Sequence, residues 1–124
     1  MILDHIGFAV RDYAKSREFY TKALAPLGIV VAMDGEGWAM LGKKGDKPEF
    51  WFGTYGTPPE HLHIAFAAEN REQVRAFHAA ALAAGGKDNG APGIRAEYHP
   101  NYYGAFVIDL NGHNIEAVCH HPEA

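Results

Sequence analysis

The chain has 124 residues, the size of one ordinary domain, so any internal repeat must share a single core. Nearly half of the residues are hydrophobic and the net charge of −4 is mild, with no block of like charge suited to a nucleic-acid backbone or an anionic membrane surface. Met1 runs directly into a strand pattern with no basic and apolar leader, no apolar run reaches membrane length, and the single cysteine, Cys119, suits a reducing compartment; a cytoplasmic protein is expected.

The first predicted element is a strand through Leu3-Asp4-His5-Ile6-Gly7-Phe8-Ala9-Val10. Alternation puts His5 on the face of Leu3, Gly7 and Ala9, and sends Ile6, Phe8 and Val10 the other way. Asp12 can cap a helix whose apolar positions include Phe19, Tyr20, Ala23, Leu24 and Leu27, with Pro26 and Gly28 ending it. Residues 29–33 read as a strand, Asp34-Gly35 as a turn, and residues 37–41 as the hairpin partner. After a polar loop over 43–47, residues 49–53 complete a fourth strand, on which Glu49, Trp51 and Gly53 share one face. The first half is therefore β-α-β-β-β.

Residues 55–60, with Pro58-Pro59, form a short linker, and the order then starts again. His61-Leu62-His63-Ile64-Ala65-Phe66-Ala67-Ala68 copies the first strand, and His63 follows His5 by 58 residues. Asn70 repeats Asp12, Phe77 repeats Phe19 and Gly86 repeats Gly28 at the same offset. Asn70 with Gln73 has the form of a capping box, and Val74, Phe77, His78, Ala81 and Leu82 make an apolar stripe. Residues 87–101 read as a long excursion with a short strand near 94–98. A strand over 103–110, an Asn111-Gly112 turn and a last strand over 114–120 close the chain. The expected organisation is one α+β domain over 1–124, made of repeats 1–54 and 61–121 joined by the linker 55–60.

Glu116 follows Glu49 by 67 residues, nine more than the strand offset, which the longer excursion can absorb; the two glutamates are expected at equivalent places in the repeat. One histidine and one carboxylate per half, on strand faces with small neighbours, form a donor set for a divalent ion with positions left for water. Arg95, Tyr98, His99, Tyr102 and Tyr103 in the excursion combine aromatic faces with hydrogen-bonding tips, suited either to closing over a small-molecule substrate or to covering the sheet edge. His61, His78, His113, His120 and His121 lack repeat-matched partners and are expected at the surface, and Cys119 reads as a half-buried strand residue.

The first octet, the helix with Ser16, Phe19 and Tyr20, and the stretch Asp109-Leu110-Asn111-Gly112-His113-Asn114-Ile115-Glu116 resemble the vicinal oxygen chelate superfamily, which includes glyoxalase I, extradiol dioxygenases, and fosfomycin and bleomycin resistance proteins. The resemblance spans nearly the whole chain. It implies two βαβββ modules forming an eight-stranded cup around a divalent metal, Ni, Zn, Mn or Fe. The glyoxalase I pattern implies the ligands His5, Glu49, His63 and Glu116, with Glu116 also the proton carrier. Members with three ligands would use His5, His63 and Glu116. The leading expectation is a metal-dependent lyase or isomerase acting on a small molecule with vicinal oxygens. The alternatives are a ring-cleaving dioxygenase and a metal-free binding protein of the bleomycin-resistance kind. Each half being a sheet with one open face, and the superfamily commonly closing its cups between subunits, a homodimer is expected. In it, His5 and Glu49 of one chain would meet His63 and Glu116 of the other.

Overall fold

A computed structural model describes residues 3–123; Met1, Ile2 and Ala124, at the ends of the expected 1–124 domain, lie outside the described residues. Strand β1 (Ile6–Ala9) leads through the Asp12 cap, whose side chain accepts from the Lys15 N–H, into helix α1 (Tyr13–Leu24). Pro26 tightens the last turn, and Gly28 closes it at a positive φ of 78° that other residues adopt only with strain. Strands β2 (Ile29–Gly35), β3 (Trp38–Lys43) and β4 (Phe50–Gly53) complete the first module. The second repeats it with β5 (His63–Ala67), α2 (Arg71–Ala83), β6 (Lys87–Ile94), β7 (Tyr103–Ile108) and β8 (Asn114–Cys119).

The sheets have the same topology, β1-β4-β3-β2 and β5-β8-β7-β6. In each, the first strand pairs in parallel with the last, so β1 and β5 are edge strands. Both helices lie on the bulky faces of the sheets and pack on each other. Phe8, Phe50, Phe52, Tyr20 and Phe19 fill the first half of the core, and Ile64, Val74, Phe77, Val107 and Ile115 the second. Each fully buried large apolar side chain contributes about 1.5–3 kcal/mol. Phe50 against Phe66 (ring centroids 5.2 Å) and Phe8 against His113 (5.1 Å) join the modules across their seam.

Several local expectations change. The first hairpin turns at Glu36-Gly37, two residues beyond Asp34-Gly35, with Gly35 paired to Trp38. Gly37 takes the positive φ of 78°, and Gly35, without a Cβ, leaves room for the Trp38 indole. The third strand of the second module is β6 over 87–94, not a short one near 94–98. Its Asn89-Gly90 and Pro92-Gly93 are absorbed as register shifts in an edge strand instead of making turns. His113 is wholly buried, not superficial: its ring stacks on Phe8 and its Nδ1 accepts the Leu62 N–H at 3.1 Å. Cys119 is also fully inside. In α2 the Asn70 cap holds as read, although Gln73 returns its bond to the N–H of Glu69, one residue before the cap.

Candidate functional site

Between the edge strands β1 and β5 lies a cleft of about 440 Å³, with His5 and Glu49 on one side, His63 on the other, and Phe50 and Phe66 among its apolar lining. His63 stands at the start of β5 because alternation turns Ile64 and Phe66 toward the core. Its Nε2 lies 2.8 Å from Oε1 of Glu116, two strand positions along on β8, where Ala65 faces Glu116. Glu116 is 0% exposed, yet it is on the face away from the helices. Its second oxygen accepts from the Tyr102 hydroxyl. Burial, then the Glu116 carboxylate, pushes the Tyr102 phenol well above its ordinary pKa, so it remains a protonated donor.

His5 is held differently. Its Nδ1 lies 2.7 Å from Oδ1 of Asp4, which is also paired with Lys47. The Lys47 ammonium, and next His5, keep the Asp4 carboxyl below the usual range. An Nδ1–H given to a carboxylate leaves Nε2 as a free lone pair, the form a metal ligand needs. Asp4 precedes His5 directly, so this pairing could have been read from the sequence.

The register corrects the expected equivalence of the two glutamates. Ile6 faces Phe50 as Ile64 faces Ile115, and Gly7 faces Trp51 as Ala65 faces Glu116. The first-half counterpart of Glu116 is therefore Trp51, and that of Glu49 is Asn114. An offset taken from the excursion length alone missed this by two residues, one full step along a strand face. Glu49 lines the cleft beside His5 without occupying the repeated carboxylate position. Among the described residues, no three histidine, cysteine or carboxylate side chains converge in one metal-sized group.

The excursion residues divide. Arg95 covers the Phe106 ring at 5.3 Å, and Tyr98 packs edge-on to Tyr102 at 5.0 Å. His99 and Tyr102 both contact His120, at 5.7 and 5.2 Å. Tyr103 faces the opposite way, beneath Arg71 and Arg75 of α2, with its hydroxyl accepting from Arg75 at 3.2 Å. It belongs to the core side of β7 and is separated from the other four.

A buried polar knot fixes the β7–β8 hairpin that carries Glu116. Asp109 accepts from the N–H groups of Asn111 and His113, both at 2.8 Å, and from the Tyr20 hydroxyl of α1. Asn111 donates to Ser16 at 3.1 Å. These contacts account for the Asp109-Leu110-Asn111-Gly112-His113 stretch as a joint between the modules.

This duplicated βαβββ architecture defines a two-module chelate-type fold, and the chain belongs to the Glyoxalase/Bleomycin resistance protein/Dioxygenase superfamily, whose family model matches residues 2–117. A glyoxalase/bleomycin resistance protein from Albidiferax ferrireducens is similar at 30% identity and a TM-score of 0.83, over 96% of this chain and 99% of that one. A glyoxalase/bleomycin resistance protein/dioxygenase family enzyme from Burkholderia phytofirmans shares 17% identity and a TM-score of 0.71, over 95% and 98% of the two chains. The bleomycin resistance determinant encoded on transposon Tn5 shares 17% identity and a TM-score of 0.62, over 94% and 95%. The last two likenesses show the fold alone. No curated protein matches the sequence. No helix among the described residues is long and apolar enough to cross a membrane.

Proposed function

We propose that the protein is a metal-dependent lyase or isomerase of the glyoxalase type, acting in the β1–β5 cleft on a small molecule with neighbouring oxygens. The observation that carries this reading is the buried Glu116 held in contact with His63, which fronts the cleft. A carboxylate enclosed in this way needs partners, and an imidazole at its exposed side is the path by which it reaches a ligand.

The donor chemistry fits a divalent ion, Ni, Zn, Mn or Fe. His63 and Glu116 would hold it from one module, and His5, oriented by Asp4, from the other. With Trp51 at the place of the second carboxylate, the repeat supports the three-donor set His5, His63 and Glu116, and Glu49 acts from the rim. Each module being a four-stranded sheet with one face left open by the helices, we propose a homodimer in which one chain's His5 approaches the other's His63–Glu116 pair. When bound, the ion supplies Lewis-acid stabilisation of a developing oxyanion. Glu116 takes a proton from one carbon and returns it to the neighbour, while Phe50 and Phe66 keep the cleft wall apolar. The lone buried Cys119 supports a cytoplasmic protein.

A second reading is favoured by Trp51: a two-histidine, one-carboxylate set is also the arrangement of ring-cleaving dioxygenases. Mass spectrometry of metals after chelator-free purification tests both, with about one ion per donor set expected and most of it lost in His63→Ala. A panel of hemithioacetals, 2-oxoaldehydes and catechols then separates the two chemistries. Equal melting temperatures with and without added metal, together with no bound ion, would leave the metal-free binding protein as the surviving reading.

A further inference from the structure

We propose that Tyr102 is a positioning residue that holds the Glu116 carboxylate by one oxygen and leaves the other to face His63 and an ion bound beside it. The inference rests on the metal-site reading above and replaces the substrate-contacting role expected for Tyr102.

Four observations support it. The two oxygens of Glu116 have separate partners, His63 on Oε1 and the Tyr102 hydroxyl on Oε2. The Glu116 side chain is 1% exposed, so water cannot readily replace the phenol if it is lost. Gly104, next to Tyr102 but one, leaves the space this contact needs: a Cβ there would sit 3.1 Å from the Tyr102 ring and 3.2 Å from Oε2. The phenol is itself fixed. The Arg95 N–H donates to the Tyr102 carbonyl at 2.8 Å, the Tyr102 N–H donates to the His99 carbonyl at 3.1 Å, and Tyr98 and His120 pack on the ring.

A neutral phenol donating to Oε2 orients the carboxylate without competing for charge. It favours binding of an ion through Oε1 alone and disfavours the rotation that would present both oxygens. Partners of this outer kind typically alter metal affinity by about 10–100-fold. The excursion 95–102 is then a clamp on the acid–base carboxylate.

The test is titration of metal-free protein with cobalt(II), read by calorimetry and by the visible spectrum of the bound ion. Tyr102→Phe should weaken binding by about 10–100-fold and change the spectrum as the carboxylate becomes free to bind through both oxygens. Gly104→Ala, which crowds the same contact from the other side, should shift both in the same direction. Tyr103→Phe, on the opposite face of β7, should match wild type. Circular dichroism of each metal-free variant checks that it is folded, and a misfolded Tyr102→Phe leaves the decision to Gly104→Ala. Equal cobalt affinity and spectrum in wild type and both variants overturns the clamp and leaves the metal site standing. Failure of wild type to bind cobalt overturns both.

Discussion

Replacing Asp109 by alanine tests whether the polar knot holds the modules together. The change removes one acceptor group and strands three donors: the hydroxyl of Tyr20, which is fully buried, and the N–H groups of Asn111 and His113. An unsatisfied buried donor costs about 1–3 kcal/mol, and neighbours in one network do not add fully, so the expected loss is about 3–5 kcal/mol. That is a large part of the total of about 5–15 kcal/mol available to a domain. At about 4 °C per kcal/mol for a chain of this size, the midpoint should fall by about 12–20 °C. Urea unfolding followed by far-ultraviolet circular dichroism gives the free-energy difference directly. Asp109→Asn keeps an acceptor oxygen and should recover more than half of the loss. An alanine variant within about 1 kcal/mol of wild type would refute the idea that these bonds are a working joint.

Three further outcomes follow from the same geometry. Gly7→Ala should destabilise by about 1–3 kcal/mol, because its Cβ would overlap the Trp51 indole; Trp51→Ala in the same chain should remove most of that penalty, and additive losses in the double-mutant cycle would count against it. Burial, then Asp109, pushes the Tyr20 phenol well above 10.0, so the unfolded chain ionises first as pH rises; stability should be full below pH 10.0 and fall above it by about 1.4 kcal/mol per unit, and a gap between wild type and Tyr20→Phe that stays constant from pH 9 to 11 (roughly) would contradict this. Glu116→Gln should keep the fold and lose about 10²–10⁴ in turnover on any substrate found in the panel, and wild-type turnover at saturating metal would remove Glu116 from the proton-transfer role.

Much of the fold was legible because the chain states it twice. The matched octets around His5 and His63, the Asp12 and Asn70 caps and the glycines at 28 and 86 place the elements at one constant offset, and each cap forms as read. What a single sequence could not place was register after an irregular segment. Between α2 and β8 lie the two register shifts within β6 and the 95–102 turns, so counting residues from Glu49 to Glu116 does not determine which positions correspond. Strand pairing does. Likewise, nothing local marks His113 as a buried residue, since its burial arises from Phe8 and Leu62, both distant in the chain.

The corrected register also explains how two copies of one unit support an asymmetric site. At the matched pair Gly7/Trp51 and Ala65/Glu116, one module carries an indole lying over a glycine and the other a carboxylate beside an alanine. The substitutions are coupled within each pair: a Cβ at position 7 collides with the indole, whereas Ala65 is compatible with the slimmer glutamate. The two histidines keep their common place at the strand starts, but their partners differ, Asp4 for His5 and Glu116 for His63. An exposed carboxylate fixes the first imidazole, while a buried one, which also accepts from Tyr102, contacts the second. Duplication thus supplies two equivalent imidazole positions, and divergence at one neighbouring strand pair leaves a single enclosed carboxylate beside one of them.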